Sequence, residues 1–202
     1  MHTSYSKYLV TIRRCLMTLL LVGVSAFGSQ VLAAQQRVND EPGEGWRARL
    51  RQSMPLLGHR NWILIVDSAY PLQTSPGVET IETDGSEVDV VREVLQEVDR
   101  SIHVRPVLYM DAELPFVREN DAPGVEQYRR EIRGVLGDRP VSSIAHEAAF
   151  SKIDEAGKTF HVLVLKTRLA IPYTSVFIQL DCKYWSPDAE ARLRKAMKSE
   201  AH

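Results

Sequence analysis

The chain has 202 residues, with 25 Lys/Arg against 26 Asp/Glu and a formal net charge of −1. That balance offers no basic patch of the kind a nucleic-acid binder needs, which argues against a nucleic-acid partner. With 44% of its residues apolar, a chain of this size has enough to bury the core of one domain.

The first segment reads as export machinery rather than fold. Lys7, Arg13 and Arg14 form a positive stretch, residues 15–27 (CLMTLLLVGVSAF) an apolar one, and Val31-Leu32-Ala33 a small-residue cleavage pattern. Together these are the parts of a secretory signal peptide over residues 1–33. No cysteine follows Leu32-Ala33-Ala34, which argues against a lipid anchor. The second half of the uncharged run holds Gly, Ser and Gln, which argues against a permanent membrane span. The expectation is an exported protein, periplasmic or secreted, with no stable membrane anchor after cleavage. Cleavage after Ala33 removes three of the 25 Lys/Arg and no acid, leaving 22 basic against 26 acidic side chains and a charge of −4. Of the two cysteines only Cys182 would remain, in an apolar strand. Stability then has to come from packing or association rather than an internal disulfide.

Residues 34–45 (AQQRVNDEPGEG) read as a flexible polar leader, and residues 46–202 as the domain. A short helix is predicted over 46–57, limited by Pro55. The run Trp62-Ile63-Leu64-Ile65-Val66 is apolar throughout, as in a strand buried on both faces. Residues 71–87 read as a long loop with a short strand at 78–81. Val88, Val91, Leu95 and Val98 recur at helical spacing and predict an amphipathic helix over 87–100. A strand at 104–110 follows, ending at Asp111 and Glu113, which read as a solvated turn rather than as lining the same crevice as Asp67, the alternative. A second amphipathic helix runs from Val125 to a stop near Gly137. A third is predicted over 143–156, with Ser143 as N-cap and Gly157 as the terminal glycine. Strands at 160–165 and 176–182 come next, and Ser186-Pro187-Asp188 opens a final helix. The alternation predicts an α/β fold: a three-layer α/β/α single domain with a mixed, mostly parallel sheet.

The polar residues at strand edges carry the chemistry. His59 precedes the first strand and Asp67 closes it. A histidine titrates near neutrality and can both take and give a proton. In open α/β sheets ligands sit beyond the carboxyl ends of the strands, where Asp67 would lie. His146 precedes Glu147 in the third helix, and Tyr173 and Ser175 stand at the entry to the last strand. If that strand ran antiparallel to the first, its start would approach Asp67. His59, His146 and Asp67 are also types that could form a metal site, although no compact His-Glu-x-x-His motif is present.

The segment Leu57-Gly58-His59, followed by an apolar strand and Asp67-Ser68-Ala69-Tyr70-Pro71, resembles the opening signature of the D-ribose pyranase / L-fucose mutarotase family. Further similarities follow in order: Thr83-Asp84-Gly85 before a helix, Arg105-Pro106-Val107-Leu108-Tyr109-Met110, His146-Glu147-x-x-Phe150, and Pro172-Tyr173-Thr174-Ser175. The resemblance spans residues 46–184 and implies a monosaccharide as the small-molecule partner, interconversion of its ring forms, and no cofactor. By position His59 matches the family's general acid, and Asp67, His146 and Tyr173 its sugar-contacting residues. Ser175 stands where the family has asparagine, and Arg168-Leu169 where it has Gly-Glu. The resemblance also implies a homo-oligomer whose sites draw on neighbouring subunits. A non-catalytic exported sugar-binding module on the same scaffold is the alternative, favoured by those departures and by the export signal.

Overall fold

The computed structural model describes residues 45–200. The signal peptide expected at 1–33, and the expected leader at 34–45 except Gly45, lie outside the described residues. The elements in order are α1 (Gly45–Ser53), β1 (Trp62–Val66), β2 (Val78–Glu82), α2 (Glu87–Arg100), β3 (Val104–Asp111), a 3₁₀ turn (Leu114–Phe116), α3 (Val125–Leu136), β4 (Val141–Ile144), α4 (His146–Thr159), β5 (Val162–Lys166), β6 (Val176–Cys182) and α5 (Pro187–Glu200). Among the described residues no helix is long and apolar enough to cross a membrane.

The strands form one six-stranded sheet in the order β2-β5-β1-β6-β3-β4. β6 runs antiparallel to both its neighbours, β1 and β3, while the remaining pairs are parallel. The mixed, mostly parallel sheet expected from the alternation is therefore present. All five residues of β1 are buried, because strands flank it on both edges and helices cover both faces. On one face Ile63, Ile65, Leu163, Leu165 and Ile178 pack against Val91, Val94, Leu95 and Val98 of α2 and Val125, Tyr128 and Ile132 of α3. On the other, Trp62, Leu64, Val66, Val164 and Phe177 pack against Ala149 and Ile153 of α4. Each large apolar side chain so removed from water contributes roughly 1.5–3 kcal/mol before chain entropy is subtracted. Loss of one from β1 would weaken the junction of all three layers.

α2 begins where its sequence says it should. Ser86 caps it by accepting from the Asp89 N–H, and Glu87 and Asp89 stand in its first turn. α1 is shorter than expected, ending at Ser53 ahead of Pro55.

The segment around residue 143 departs from the predicted helix. Residues 141–144 form the edge strand β4, in parallel register with β3 from Leu108↔Val141 to Asp111↔Ile144. The helix starts at His146 with Ala145 as its cap residue, so Ser143 caps nothing. Partners on β3 outweigh the weak local preference of a Val-Ser-Ser-Ile stretch. Gly157 likewise lies inside α4 rather than ending it. Its carbonyl accepts from the Gly77 N–H at 3.0 Å, and a Cβ on Gly157 would stand 2.8 Å from Val78 Cγ2. The glycine is there because the loop into β2 crosses the helix at backbone contact.

Candidate functional site

The topology gathers several chain ends at one end of the sheet. β1, β3, β4 and β5 all present their carboxyl ends there, and the reversed β6 presents its start. Register pairs Ile65 of β1 and Met110 of β3 with Val176 of β6. One residue further along each strand lie Val66, Asp111 and Ser175, with Asp67 and Thr174 beyond. The last strand does run antiparallel to the first, and this brings Ser175 and Tyr173 toward the end that carries Asp67.

Asp67 is buried, and its Oδ1 accepts from the Ala69 N–H at 2.7 Å, closing a turn. His146 opens α4, and its backbone N–H donates to the Glu113 carboxylate at 3.1 and 3.2 Å. Its ring stands edge-on to Phe150 at 4.9 Å and to Tyr173 at 5.1 Å between centroids. Phe150 in turn stacks on Tyr70 at 5.2 Å. The four rings make one continuous wall. Tyr173 holds a left-handed backbone, φ 62°, a conformation costing about 1–3 kcal/mol in a residue with a side chain. Edge-on packing against His146 fixes the ring on this backbone.

Asp111 is the group that sequence reasoning misplaced. Read as part of a solvated turn, it is only 2% exposed. His146 Nδ1 lies 3.2 Å from Asp111 Oδ2. Both Asp111 oxygens, His146 Nδ1 and Ser175 Oγ are buried without an aligned hydrogen-bond partner among the described residues. Burial pushes the Asp111 carboxyl up to about 6, against the opposing pull of His146, and the Glu113 and Asp67 carboxylates add to the rise. Burial also raises the Tyr70 phenol, helped by the carboxylates of Asp154, Asp111 and Asp67. Beyond Asp67, Glu87 is buried among Tyr128, Thr167 and Thr174. The signal for Asp111 was its place one residue past an apolar strand; for Glu87, on the apolar side of an amphipathic helix, there was none.

His59 lies at the other end. It stands three residues before the start of β1, whereas Asp67 follows the strand's last residue, so the five residues of β1 separate the two by roughly 16 Å or more. The His59 side chain is 55% exposed, and its Nδ1 lies 3.0 Å from Asp181 Oδ1 at the end of β6. Arg105 donates to Asp181 Oδ2 through Nε at 2.9 Å and Nη2 at 2.5 Å. Burial works against the Asp181 charge, but Arg105 and His59 hold its carboxyl below the usual range. The three side chains line a groove of about 630 Å³ with Tyr184, Trp185 and the half-buried Cys182.

Of the five expected residues, the chain thus gathers Asp67, His146, Tyr173 and Ser175 at one end and leaves His59 at the other. A metal site built from His59, His146 and Asp67 is ruled out within one chain by that separation. Among the described residues no group of three or more His, Cys, Asp and Glu could hold a metal ion.

No protein-family model and no curated protein matches the chain. Several solved structures are similar to it. Bacillus subtilis RbsD complexed with D-ribose is 16% identical, with 65% of this chain and 89% of that chain covered at a TM-score of 0.47. The fucose mutarotase of Streptococcus pneumoniae in complex with L-fucose is 19% identical, with 63% and 87% covered at a TM-score of 0.43. FucU of Bifidobacterium longum is 17% identical, with 65% and 90% covered at a TM-score of 0.45.

Proposed function

We propose that this protein is an exported monosaccharide mutarotase or pyranase that interconverts ring or anomeric forms of a free sugar by acid/base catalysis. The observation that carries the reading is the carboxyl-end cluster, where a buried acid, Asp111, faces His146 beside Asp67 and an aromatic wall ending in Tyr173. Opening a hemiacetal requires a base at the anomeric hydroxyl and an acid at the ring oxygen; closure on either face reverses both transfers. Groups that exchange protons near neutrality supply both. His59, fixed by Asp181, is the general acid, while Asp67, His146 and Tyr173 bind sugar hydroxyls, with Ser175 beside them. Because His59 stands at the opposite end of β1, a complete site pairs the carboxyl end of one copy with the amino end of the next. No cofactor enters this chemistry.

Saturation-transfer proton NMR on the anomeric signals of ribose, fucose and other free sugars tests the reading. Exchange is expected to rise with wild type and to fall by ~10²–10⁴ for His59→Ala or Asp67→Asn, the scale of a positioned acid/base. When the two inactive chains are unfolded, mixed and reassembled, about a quarter of the sites receive both intact halves and activity returns. No recovery on mixing would refute the shared site, and no exchange across the panel would refute the enzyme. The second reading, a sugar-binding module without turnover, is favoured by Ser175, whose hydroxyl cannot reproduce an amide's paired donor and acceptor. Saturable sugar binding without exchange would establish it.

A further inference from the structure

Behind the carboxyl-end cluster, six oxygen–oxygen contacts meet around Glu87. Tyr128 Oη lies 2.9 Å from Glu87 Oε1 and 2.6 Å from the Thr174 carbonyl. Thr167 Oγ1 lies 3.1 Å from Glu87 Oε2 and 2.9 Å from the Val66 carbonyl. Thr174 Oγ1 lies 3.4 Å from Glu87 Oε2 and 3.1 Å from the Ile171 carbonyl. Each hydroxyl has one proton and touches two acceptors, so three protons face six contacts. An ionised Glu87 would leave three acceptor–acceptor contacts in a dry interior. A protonated Glu87 supplies one of the three missing donors: it donates to Tyr128, which then donates along its shorter contact to the Thr174 carbonyl. Among the described residues no cation pairs with Glu87, so nothing offsets the cost of a buried charge there.

We propose that Glu87 is a neutral carboxylic acid whose proton locks together the strand ends that carry Asp67 and Tyr173, making it a positioning residue for the carboxyl-end cluster. The network touches Val66, just before Asp67, and Thr174, just after the left-handed Tyr173. The titratable groups facing Glu87 are the Tyr128 phenol from α3 and the Asp67 carboxylate beyond β1. Asp111 enters through its effect on Tyr128. Burial, reinforced by Asp67, raises Glu87 to about 8, while the three hydroxyls pull the other way. Loss of the proton above that pH sets Glu87 against Asp67 and unlocks the strand ends. The functional part of the proposal rests on the sugar-exchange reading; the protonation state does not.

Infrared spectroscopy of the sugar-free protein, comparing wild type with Glu87→Gln, tests it. Wild type is expected to show a protonated-carboxyl C=O band at neutral pH that disappears near pH 8 and is missing from the variant. Tyr128→Phe, which removes the acid's acceptor, shifts the band while leaving it in place. The alkaline limb of the sugar-exchange profile moves to higher pH in Glu87→Gln. A band that is absent at neutral pH, or that titrates near the ordinary glutamate value of about 4.3, overturns the proposal. An alkaline limb that stays put overturns the positioning role. If wild type shows the band but exchanges no sugar, the enzyme reading fails and the neutral acid stands.

Discussion

Asp111→Asn is the substitution whose consequence can be worked furthest from the structure. The carboxyl is pushed from 3.8 to about 6, with burial as the leading cause. A folded-state pKa above the unfolded value means that the native protein holds the proton more tightly than the unfolded chain. The associated stability is therefore fully present below the unfolded pKa and is lost as pH rises through the folded one. A shift of roughly two units at 1.36 kcal/mol each amounts to roughly 3 kcal/mol, lost between about pH 4 and pH 7. Asparagine has a similar shape and does not titrate. Between those two pH values Asp111→Asn should therefore gain about 3 kcal/mol relative to wild type, whatever constant offset the amide introduces. Urea unfolding of both proteins at the two pH values gives this as a double difference, free of every carboxylate the two share. In thermal unfolding the same gain corresponds to about 6–12 °C for a domain of this size. Equal pH dependence in the two proteins would show that Asp111 is not a buried, proton-holding acid. Sugar exchange should fall in the variant even as stability at neutral pH improves, because His146 loses its charged partner.

Gly157→Ala sets two effects against each other. Alanine improves helix propensity by about 1 kcal/mol, but its Cβ would lie 2.8 Å from Val78 Cγ2 and 3.2 Å from Ser75 Cβ. Val78 is stiff at χ1, and overpacking costs about 1–3 kcal/mol, so a net loss is expected in thermal denaturation. A gain would mean the loop does not cross α4 in contact. Arg60→Gly should be stabilising: Arg60 is exposed with φ 76°, and relief of about 1–2 kcal/mol exceeds glycine's entropic penalty of about 0.5–1 kcal/mol. A lower melting temperature would assign Arg60 a contact worth more than its strain.

Periodicity carried much of the element list because apolar stripes faced one dominant partner. α2 and β6 fall where spacing alone placed them, since Val88, Val91, Leu95 and Val98 face the sheet and residues 176–182 fill its centre. It failed at residues 141–144, four residues that become a strand only because β3 offers an edge. It also misread Gly157, whose meaning depends on a loop some 80 residues earlier in the chain. The polar residues divided in the same way. Asp67, His146, Tyr173 and Ser175 could be named because strand ends and the family resemblance marked them. Asp111 was visible as a residue but not as a buried one, because only the fold shows that α4 closes over it. Nothing in the sequence marked Glu87 apart from the rest of its helix; its burial comes from Tyr128, Thr167 and Thr174, all distant in the chain.

The single reversed strand explains how one short sheet serves two separate clusters. β6 starts at the carboxyl end, where Tyr173 and Ser175 precede and enter it, and finishes at the amino end, where Asp181 holds His59 and Arg105. A parallel strand in that position would have placed Asp181 beside Asp67 and left His59 without its carboxylate. Reversal gives each end one histidine–aspartate contact, His146 with Asp111 and His59 with Asp181, on opposite sides of the same buried core. The two contacts differ in burial. Asp111 is buried and held near neutrality, whereas Asp181 is half-buried, fixed by Arg105 and kept ionised. The proposed ring opening would draw on both clusters, which the fold sets a strand length apart, with Asp111 raised and Asp181 lowered in proton affinity. Under the proposed function, catalysis becomes a question of assembly: the sheet would supply two half-sites for a second copy to bring together.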